Sequence, residues 1–222
     1  MKRLSLILLL VSLVIMLPCA QAQNEPPKDT TTMTTYPSGI PRRVVSFDSQ
    51  GRQHGPDIHF NQRGRVQKVE HYQRGKRHGE LLKLNRNGKV TERSVYKEGT
   101  LHGVSKKFYG NGKAKTYTEY DHGVKDGKAI WYYRNGNMSV EYPYKEGKIE
   151  GEARFFYEDG AVRATYQYKN NQRDGAYRAF YADGNIKLEG QYDEGEKDGT
   201  WQYYTEEGNK EKTEKYKNGE LK

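Results

Sequence analysis

Six histidines are the residues of this chain best suited to bind a metal ion or to transfer a proton. Three of them, His54, His78 and His102, recur at a spacing of 24 residues. Equivalent positions two antiparallel strands apart lie about 10 Å from each other, which is too far for a single zinc ion. The same position continues as Asp126, Glu150, Asp174 and Asp198. We therefore interpret it as a solvated polar edge and expect neither a metal nor a cofactor.

Residues that would form a catalytic site are otherwise few. The sequence contains one cysteine, Cys19, and no nucleophile elbow or Cys/His metal-ligand spacing. Its 24 glycines are numerous, but their regular spacing is typical of turns rather than of a phosphate-binding loop. We therefore expect a protein without enzymatic activity.

Aromatic residues form the second candidate site, as a contact surface for a partner. Four tyrosines recur at one position of the repeat: Tyr109, Tyr133, Tyr157 and Tyr181. Five more aromatic residues lie at neighbouring positions: Trp131, Phe155, Tyr177, Trp201 and Tyr203. Binding energy concentrates in tyrosine and tryptophan, and a contiguous aromatic patch is typical of an interaction site. Two interpretations stay open: a surface for a glycan, peptide or protein, or ring packing that stiffens a sheet.

The elements that position these residues follow from the repeat of 24 residues. One glycine series consists of Gly64, Gly88, Gly112, Gly136, Gly160, Gly184 and Gly208. Another series, with asparagine at a single place, includes Gly75, Gly99, Gly123, Gly147, Asn171 and Gly195. Asparagine is the commonest residue after glycine at positive φ, so a position that accepts either residue predicts a turn.

Each turn is predicted to be a three-residue loop, in which a type I turn is followed by a left-handed residue in a G1 bulge. A two-residue loop would need positive φ at the preceding residue as well, which suits the arginines and glutamates found there badly. With loop 97–99, Tyr96 pairs with Thr100 and shares one face of the sheet with Leu84. The aromatic candidates then lie on the opposite face.

The pattern predicts an all-β fold, an elongated single-layer antiparallel meander of stacked β-hairpins with a period of 24 residues. Seven units fill residues 55–222, and a partial unit precedes them, so the predicted repeat domain covers residues 42–222. Residues 23–41 are rich in proline, threonine and charge, and are predicted to be a disordered linker.

The spacing Y-x-x-G-x-x-x-G-x-x-x-x-Y/F-x-x-x-G, as in Tyr144, Gly147, Gly151, Phe156 and Gly160, resembles the MORN repeat. The closest resemblance is to the bacterial MORN variant of the YwqK-type antitoxin-like family. It implies stacked β-hairpins, scaffolding, self-association and, in some members, attachment to membranes. It also implies an alternative function, as an antitoxin or immunity-like protein that binds and neutralises one specific toxin.

The N-terminus has the features of a secretory signal peptide, predicted to cover residues 1–22. Two basic residues precede an apolar run that is short for a membrane span. Small residues end at Ala22, so cleavage is predicted before Gln23. Acylation at Cys19, as in a lipoprotein, is less well supported because Pro18 stands where a small residue is required. We therefore expect an exported protein, located in the periplasm, at the cell surface or in the medium.

The chain is basic, with 38 lysines and arginines against 29 acidic residues and a formal net charge of +9. The lysines are spread through every unit beside glutamates, so nucleic acid is not expected as a partner. A membrane surface and a glycan stay open as binding partners. The partner we expect is a protein or a second copy of the chain. The sequence thus favours a non-enzymatic exported scaffold for protein interactions or for the cell envelope.

Export can be tested by N-terminal sequencing of the mature protein recovered from native cells. We expect the sequence to begin at Gln23, because signal peptides are cleaved after small residues. An intact Met1 on protein recovered from the cytoplasm would contradict export.

Overall fold

A computed structural model describes residues 29–222. The predicted signal peptide, its cleavage site and Cys19 lie outside the described residues. The described part forms one antiparallel sheet without helices, so it offers no helical membrane span. Its 19 strands are β1 (Thr30–Thr35), β2 (Pro41–Phe47), β3 (Gln53–Phe60), β4 (Val66–Gln73), β5 (Lys76–Arg77), β6 (Gly79–Leu84), β7 (Val90–Lys97), β8 (Thr100–Phe108), β9 (Ala114–Asp121), β10 (Val124–Tyr132), β11 (Met138–Lys145), β12 (Lys148–Ile149), β13 (Gly151–Phe156), β14 (Val162–Lys169), β15 (Gln172–Phe180), β16 (Ile186–Asp193), β17 (Glu196–Tyr204), β18 (Lys210–Lys217) and β19 (Glu220–Leu221).

Strands that follow each other in the chain also pair in the sheet, which is therefore an open meander of hairpins. β5 and β6 are two pieces of one strand, since both pair with β4. β12 and β13 are likewise two pieces of one strand that pairs with β11. The all-β, single-layer architecture predicted from the repeat is confirmed.

The predicted disordered linker over residues 23–41 is wrong from β1 onward. β1 pairs antiparallel with β2, with Thr32 opposite Val45. The Tyr36 hydroxyl donates a hydrogen bond of 2.8 Å to the Phe60 carbonyl. Threonine is β-branched and favours extended backbone, so a threonine-rich segment can form an edge strand even though its composition resembles that of a linker.

At one side of the sheet the hairpins have the three-residue loops that the spacing predicts. Around loop 86–88, the Asn85 amide donates a hydrogen bond to the Lys89 carbonyl at 2.9 Å, and the Gly88 amide donates one to the Asn85 carbonyl at 3.0 Å. Within this loop only Gly88 has positive φ, at 78°. The same loop recurs at Gly64, Gly112, Gly136, Gly160, Gly184 and Gly208.

At the other side of the sheet the prediction is wrong for the seven loops from Arg74 onward, because these loops have two residues instead of three. Glu98 and Gly99 both have positive φ, at 50° and 92°, as a type I′ turn requires. Lys97 therefore pairs with Thr100. The Gly99 amide donates a hydrogen bond of 2.8 Å to the Arg77 carbonyl in the preceding unit. The residues at the first loop position are Arg74, Glu98, His122, Glu146, Asn170, Glu194 and Asn218.

The shorter loops and a β-bulge beside each three-residue loop, as between Ala179 and Phe180, change which side chains share a face, because a shift of one residue inverts a strand. Tyr192 pairs with Gly175, and Tyr177 pairs with Gly190. Tyr192 and Tyr177 therefore share one face, which we call the inner face. The same series of inner-face tyrosines includes Tyr72, Tyr96, Tyr120, Tyr144, Tyr168, Tyr192 and Tyr216.

Leu84, which was predicted to share a face with Tyr96, lies instead on the outer face, as do the equivalent bulky residues of the other units. Tyr203 and Tyr204 are consecutive in β17 and point to opposite sides of the sheet. The Tyr203 hydroxyl donates a hydrogen bond to Glu214 at 2.6 Å, whereas the Tyr204 hydroxyl donates one to Glu189 at 2.7 Å. The outer-face series consists of Phe60, Leu84, Phe108, Tyr132, Phe156, Phe180 and Tyr204. The prediction that Leu84 and Tyr96 share one face is therefore wrong.

Many of the most buried side chains lie in one row that crosses the strands along the middle of the inner face, which we call the central row. Its members face each other on neighbouring strands, as Ser94 and Ser105 do. Ala129 and Ala153 have no exposed surface, and Trp201 is 1% exposed. The central row consists of Asp57, Glu70, Leu81, Ser94, Ser105, Thr118, Ala129, Tyr142, Ala153, Tyr166, Tyr177, Gly190, Trp201 and Glu214.

Replacing Glu98 by asparagine should stabilise the protein, because asparagine tolerates positive φ better than glutamate does. We expect the free energy of unfolding to rise by about 0.5–1 kcal/mol, measured by urea denaturation. The matched control is Arg63→Asn, which also precedes a loop glycine but lacks positive φ. That change should alter stability by less than about 0.5 kcal/mol. Equal gains from both substitutions would contradict the assignment of two turn types.

Candidate functional site

The central row changes its chemical character along the sheet, and its N-terminal end is ionic. Asp57 and Glu70 are 1% and 2% exposed and pair across β3 and β4. Arg43 donates two hydrogen bonds to Asp57, at 2.7 and 2.8 Å. Glu70 has one oxygen 2.5 Å from Lys68 Nζ and the other 3.0 Å from Arg77 Nε. Three cations therefore neutralise two buried carboxylates.

These carboxylates serve as structural partners of the cations. Burial alone would raise the pKa of Asp57, but the hydrogen bond and the charge of Arg43 outweigh it and lower that pKa. Asp57 therefore stays ionised at neutral pH. Together with His59 and Glu70 it offers possible metal-ligand atoms within 4.8 Å of one another. The surrounding cations already neutralise both carboxylates, so a metal ion would have to displace them.

The C-terminal end of the central row is aromatic. The ring centroid of Tyr142 lies 5.9 Å from that of Trp131 and 5.6 Å from that of Phe155. Most contacts of this kind are edge-to-face, which the ring quadrupoles favour. Ring contacts of up to 6.3 Å join nine residues. This aromatic cluster consists of Trp131, Tyr142, Phe155, Tyr166, Tyr168, Tyr177, Tyr192, Trp201 and Tyr216.

Small residues between the rings let the aromatic cluster pack in a single layer, as the position of Gly190 illustrates. Gly190 pairs with Tyr177, and a Cβ atom added to it would lie 2.4 Å from Cδ2 of Trp201. The indole ring therefore lies directly against the backbone of Gly190. Because Trp201 is 1% exposed, it supports the aromatic surface from beneath and does not offer the contact area that its predicted role requires.

Four predicted contact residues lie next to the three-residue loops, outside the aromatic cluster. The Tyr109 hydroxyl donates a hydrogen bond of 2.6 Å to the Tyr132 carbonyl in the next unit. The corresponding hydrogen bonds of Tyr133, Tyr157 and Tyr181 are each 2.8 Å long. These tyrosines link successive units through the backbone.

A shallow concavity of about 550 Å³ lies over the aromatic cluster. The aromatic residues that line it include Tyr142, Phe155, Tyr157, Tyr166, Tyr177 and Tyr203. Three cations, Arg163, Arg173 and Lys187, also line it. The Arg173 guanidinium lies 4.5 Å from the ring centroid of Tyr166 and 5.4 Å from that of Tyr192. The concavity therefore combines aromatic surface with positive charge.

Two phenols that line the concavity stay protonated well above neutral pH. Burial raises the pKa of Tyr177, and Tyr166 adds to this effect. A hydrogen bond to Glu214 raises the pKa of Tyr203. Hydrogen bonds from Lys212 and Tyr203 lower the pKa of Glu214 itself to about 2. These phenols are therefore suited to donate hydrogen bonds and unsuited to act as nucleophiles.

The structure brings together only part of the predicted contact set. The predicted residues that line the concavity are Phe155, Tyr157, Tyr177 and Tyr203. Trp131 lies at one end of the aromatic cluster. The cluster residues that sequence reasoning missed are Tyr142, Tyr166, Tyr168, Tyr192 and Tyr216. Three of these belong to the inner-face tyrosine series, which was expected on the opposite face because the β-bulge beside the three-residue loops was not predicted. The binding role of all these residues stays a prediction.

Comparison with known proteins shows that the C-terminal units are similar to a known type of repeat. A model of the MORN repeat variant matches four consecutive segments, residues 125–146, 149–170, 173–194 and 197–218. No curated protein matches the chain. A solved structure of alternansucrase in complex with isomaltononaose is 16% identical, with 82% of this chain and 16% of that chain covered. Its TM-score is 0.16, which is too low to carry an argument about fold or function.

Proposed function

Because four units of this chain are MORN repeats of the variant type, we propose that it is a non-enzymatic, exported scaffold that binds a protein partner. MORN repeats generally mediate protein or membrane-lipid interactions, and the family is generally non-enzymatic. The concavity over the aromatic cluster lies within these units, since its lining extends from Tyr142 to Tyr203. The identified repeats and the candidate surface therefore coincide.

The observation that supports this proposal most is the partly exposed aromatic surface on the inner face. Tyr142, Phe155 and Tyr166 are half-buried, so each keeps apolar area that a partner would remove from water. Tyrosine and arginine are enriched among the residues that dominate binding energy in protein interfaces. On the outer face of the same units, Arg154 pairs with Glu152 at 2.9 Å, which suits a solvated surface.

The charge around the concavity favours a partner with acidic groups at the edge of its contact surface. Arg163 and Lys187 are exposed and lie beside the rings. Complementary charge raises the rate of association and suppresses incorrect partners. Two copies of this chain placed face to face would bring these cations together, so we favour a different protein over self-association through this surface.

Export and the identity of the partner belong to the same proposal. Export is supported by the signal-peptide features within residues 1–22. The antitoxin-like alternative would use the same surface for one specific toxin. The number of partners distinguishes the two functions, because a scaffold binds several proteins whereas an antitoxin binds one tightly.

Substitutions at the concavity test the binding surface. Affinity capture from the envelope fraction identifies the partner, and calorimetry with purified proteins then measures its dissociation constant. We expect Phe155→Ala to weaken binding at least tenfold, because it removes an aromatic anchor worth about 2 kcal/mol. Arg163→Glu should slow association, because it reverses a charge beside the concavity.

The matched control for the charge reversal is Lys215→Glu, on the exposed outer face in β18, which should bind as the wild type does. Melting temperatures of all variants separate lost binding from lost stability. Unchanged affinity of both Phe155→Ala and Arg163→Glu would contradict the binding-surface proposal and leave ring packing as the role of the aromatic cluster.

A further inference from the structure

We propose that His102, Asp121 and His122 form a binding site for a divalent transition-metal ion such as Zn²⁺. Imidazole nitrogen and carboxylate oxygen are ligands that zinc and its neighbours accept. The three residues lie on the outer face beside a two-residue loop, away from the aromatic cluster. The site is therefore independent of the proposed protein-binding surface.

The local fold brings His102 beside two consecutive residues, Asp121 and His122. His102 lies in β8, and Asp121 is the last residue of β9. His122 is the first residue of the two-residue loop between β9 and β10, with φ at 46°. Asp121 pairs with Val124 to close this loop. The tight turn holds the His122 ring beside the carboxylate and opposite the ring of His102.

The ligand atoms already converge. The Nδ1 atom of His102 lies 3.0 Å from Asp121 Oδ1, and the Nδ1 atom of His122 lies 2.7 Å from the same oxygen. All three residues offer ligand atoms within 4.8 Å of one another. Zinc bonds of roughly 2.0–2.2 Å place neighbouring tetrahedral ligands about 3.4 Å apart. Both nitrogen–oxygen distances therefore need to lengthen by less than about 1 Å to accept an ion.

The bonding state of His102 is a second indication, which His59 Nε2 of the other cluster shares. Its Nδ1 atom is buried and makes no hydrogen bond of acceptable geometry, and buried polar atoms are normally satisfied. The two rings approach edge-on, with centroids 5.3 Å apart. An ion placed between the two nitrogens would satisfy this atom and would fix the orientation of both rings.

Comparison with the cluster of Asp57, His59 and Glu70 shows why the site of His102, Asp121 and His122 is favoured. There, Arg43 and Lys68 hold the carboxylate oxygens. Asp121, by contrast, forms its ion-pair contacts within the described residues only with the two histidines. No lysine or arginine of the described residues pairs with this carboxylate, so an ion would not have to displace one.

The exposure of the site suggests an ion that keeps an open coordination position. The side chains of His102, Asp121 and His122 are 37%, 54% and 76% exposed. Three protein ligands with an accessible fourth position differ from a closed structural zinc site, which has four. The expected absence of a metal followed from the spacing of His54, His78 and His102 alone, and that spacing contains neither Asp121 nor His122.

Titration of the full chain with ZnCl₂ by isothermal calorimetry tests the proposal. We expect one saturable zinc site per chain, and at least tenfold weaker binding for each of His102→Ala and His122→Asn, because each removes one of three ligands. Asparagine is chosen at position 122 because it tolerates the positive φ of the loop. Zinc should also raise the melting temperature of the wild-type protein, since it binds the folded state.

The matched control is His59→Ala, which alters the competing cluster and should bind zinc as the wild type does. Three results would overturn the proposal: no saturable zinc binding by the wild type, unchanged affinity in both ligand variants, or a loss in His59→Ala equal to that in His102→Ala.

Discussion

A single-layer sheet has no second layer to cover its apolar side chains, and this constraint determines how the described chain is built. Most burial is achieved within the inner face, where large and small residues alternate along much of the central row. Ala153 has no exposed surface beside the Tyr142 and Tyr166 rings, and Gly190 accommodates Trp201. Each ring is covered by rings of the next unit, so stability depends on contacts between neighbours, as in other repeat proteins.

The same constraint separates structural from functional roles along the sheet. At the N-terminal end, cations neutralise the buried carboxylates of Asp57 and Glu70, so these charged groups already have partners within the sheet. At the C-terminal end, Trp201 provides the buried base, whereas Tyr142 and Phe155 keep exposed area above it. The surface that can bind a partner is therefore a consequence of packing the rings in one layer, because no second layer covers their exposed sides.

The repeat could be recognised in the sequence because the glycines that adopt positive φ recur with a fixed period of 24 residues. That period predicts the strands, the three-residue loops and the fold class. It does not predict the loop at Glu98, because glutamate at positive φ is unfavourable and only the tertiary context imposes it. It also does not predict the β-bulge between Ala179 and Phe180, so Tyr192 and Tyr177 were expected on opposite faces. The proposed zinc ligands were missed because only the pairing of β8 with β9 brings His102 beside Asp121 and His122.

The measurement that tests the central claim most directly is the stability of Gly190→Ala, compared with Gly110→Ala, by urea denaturation. Both glycines have ordinary φ, but an added Cβ meets the Trp201 ring at position 190 and nothing within 4 Å at position 110. We expect Gly190→Ala to lower the free energy of unfolding by about 1–3 kcal/mol. Gly110→Ala should leave it unchanged or slightly raised. Equal stability of the two variants would contradict the claim that close packing along the central row holds the sheet together.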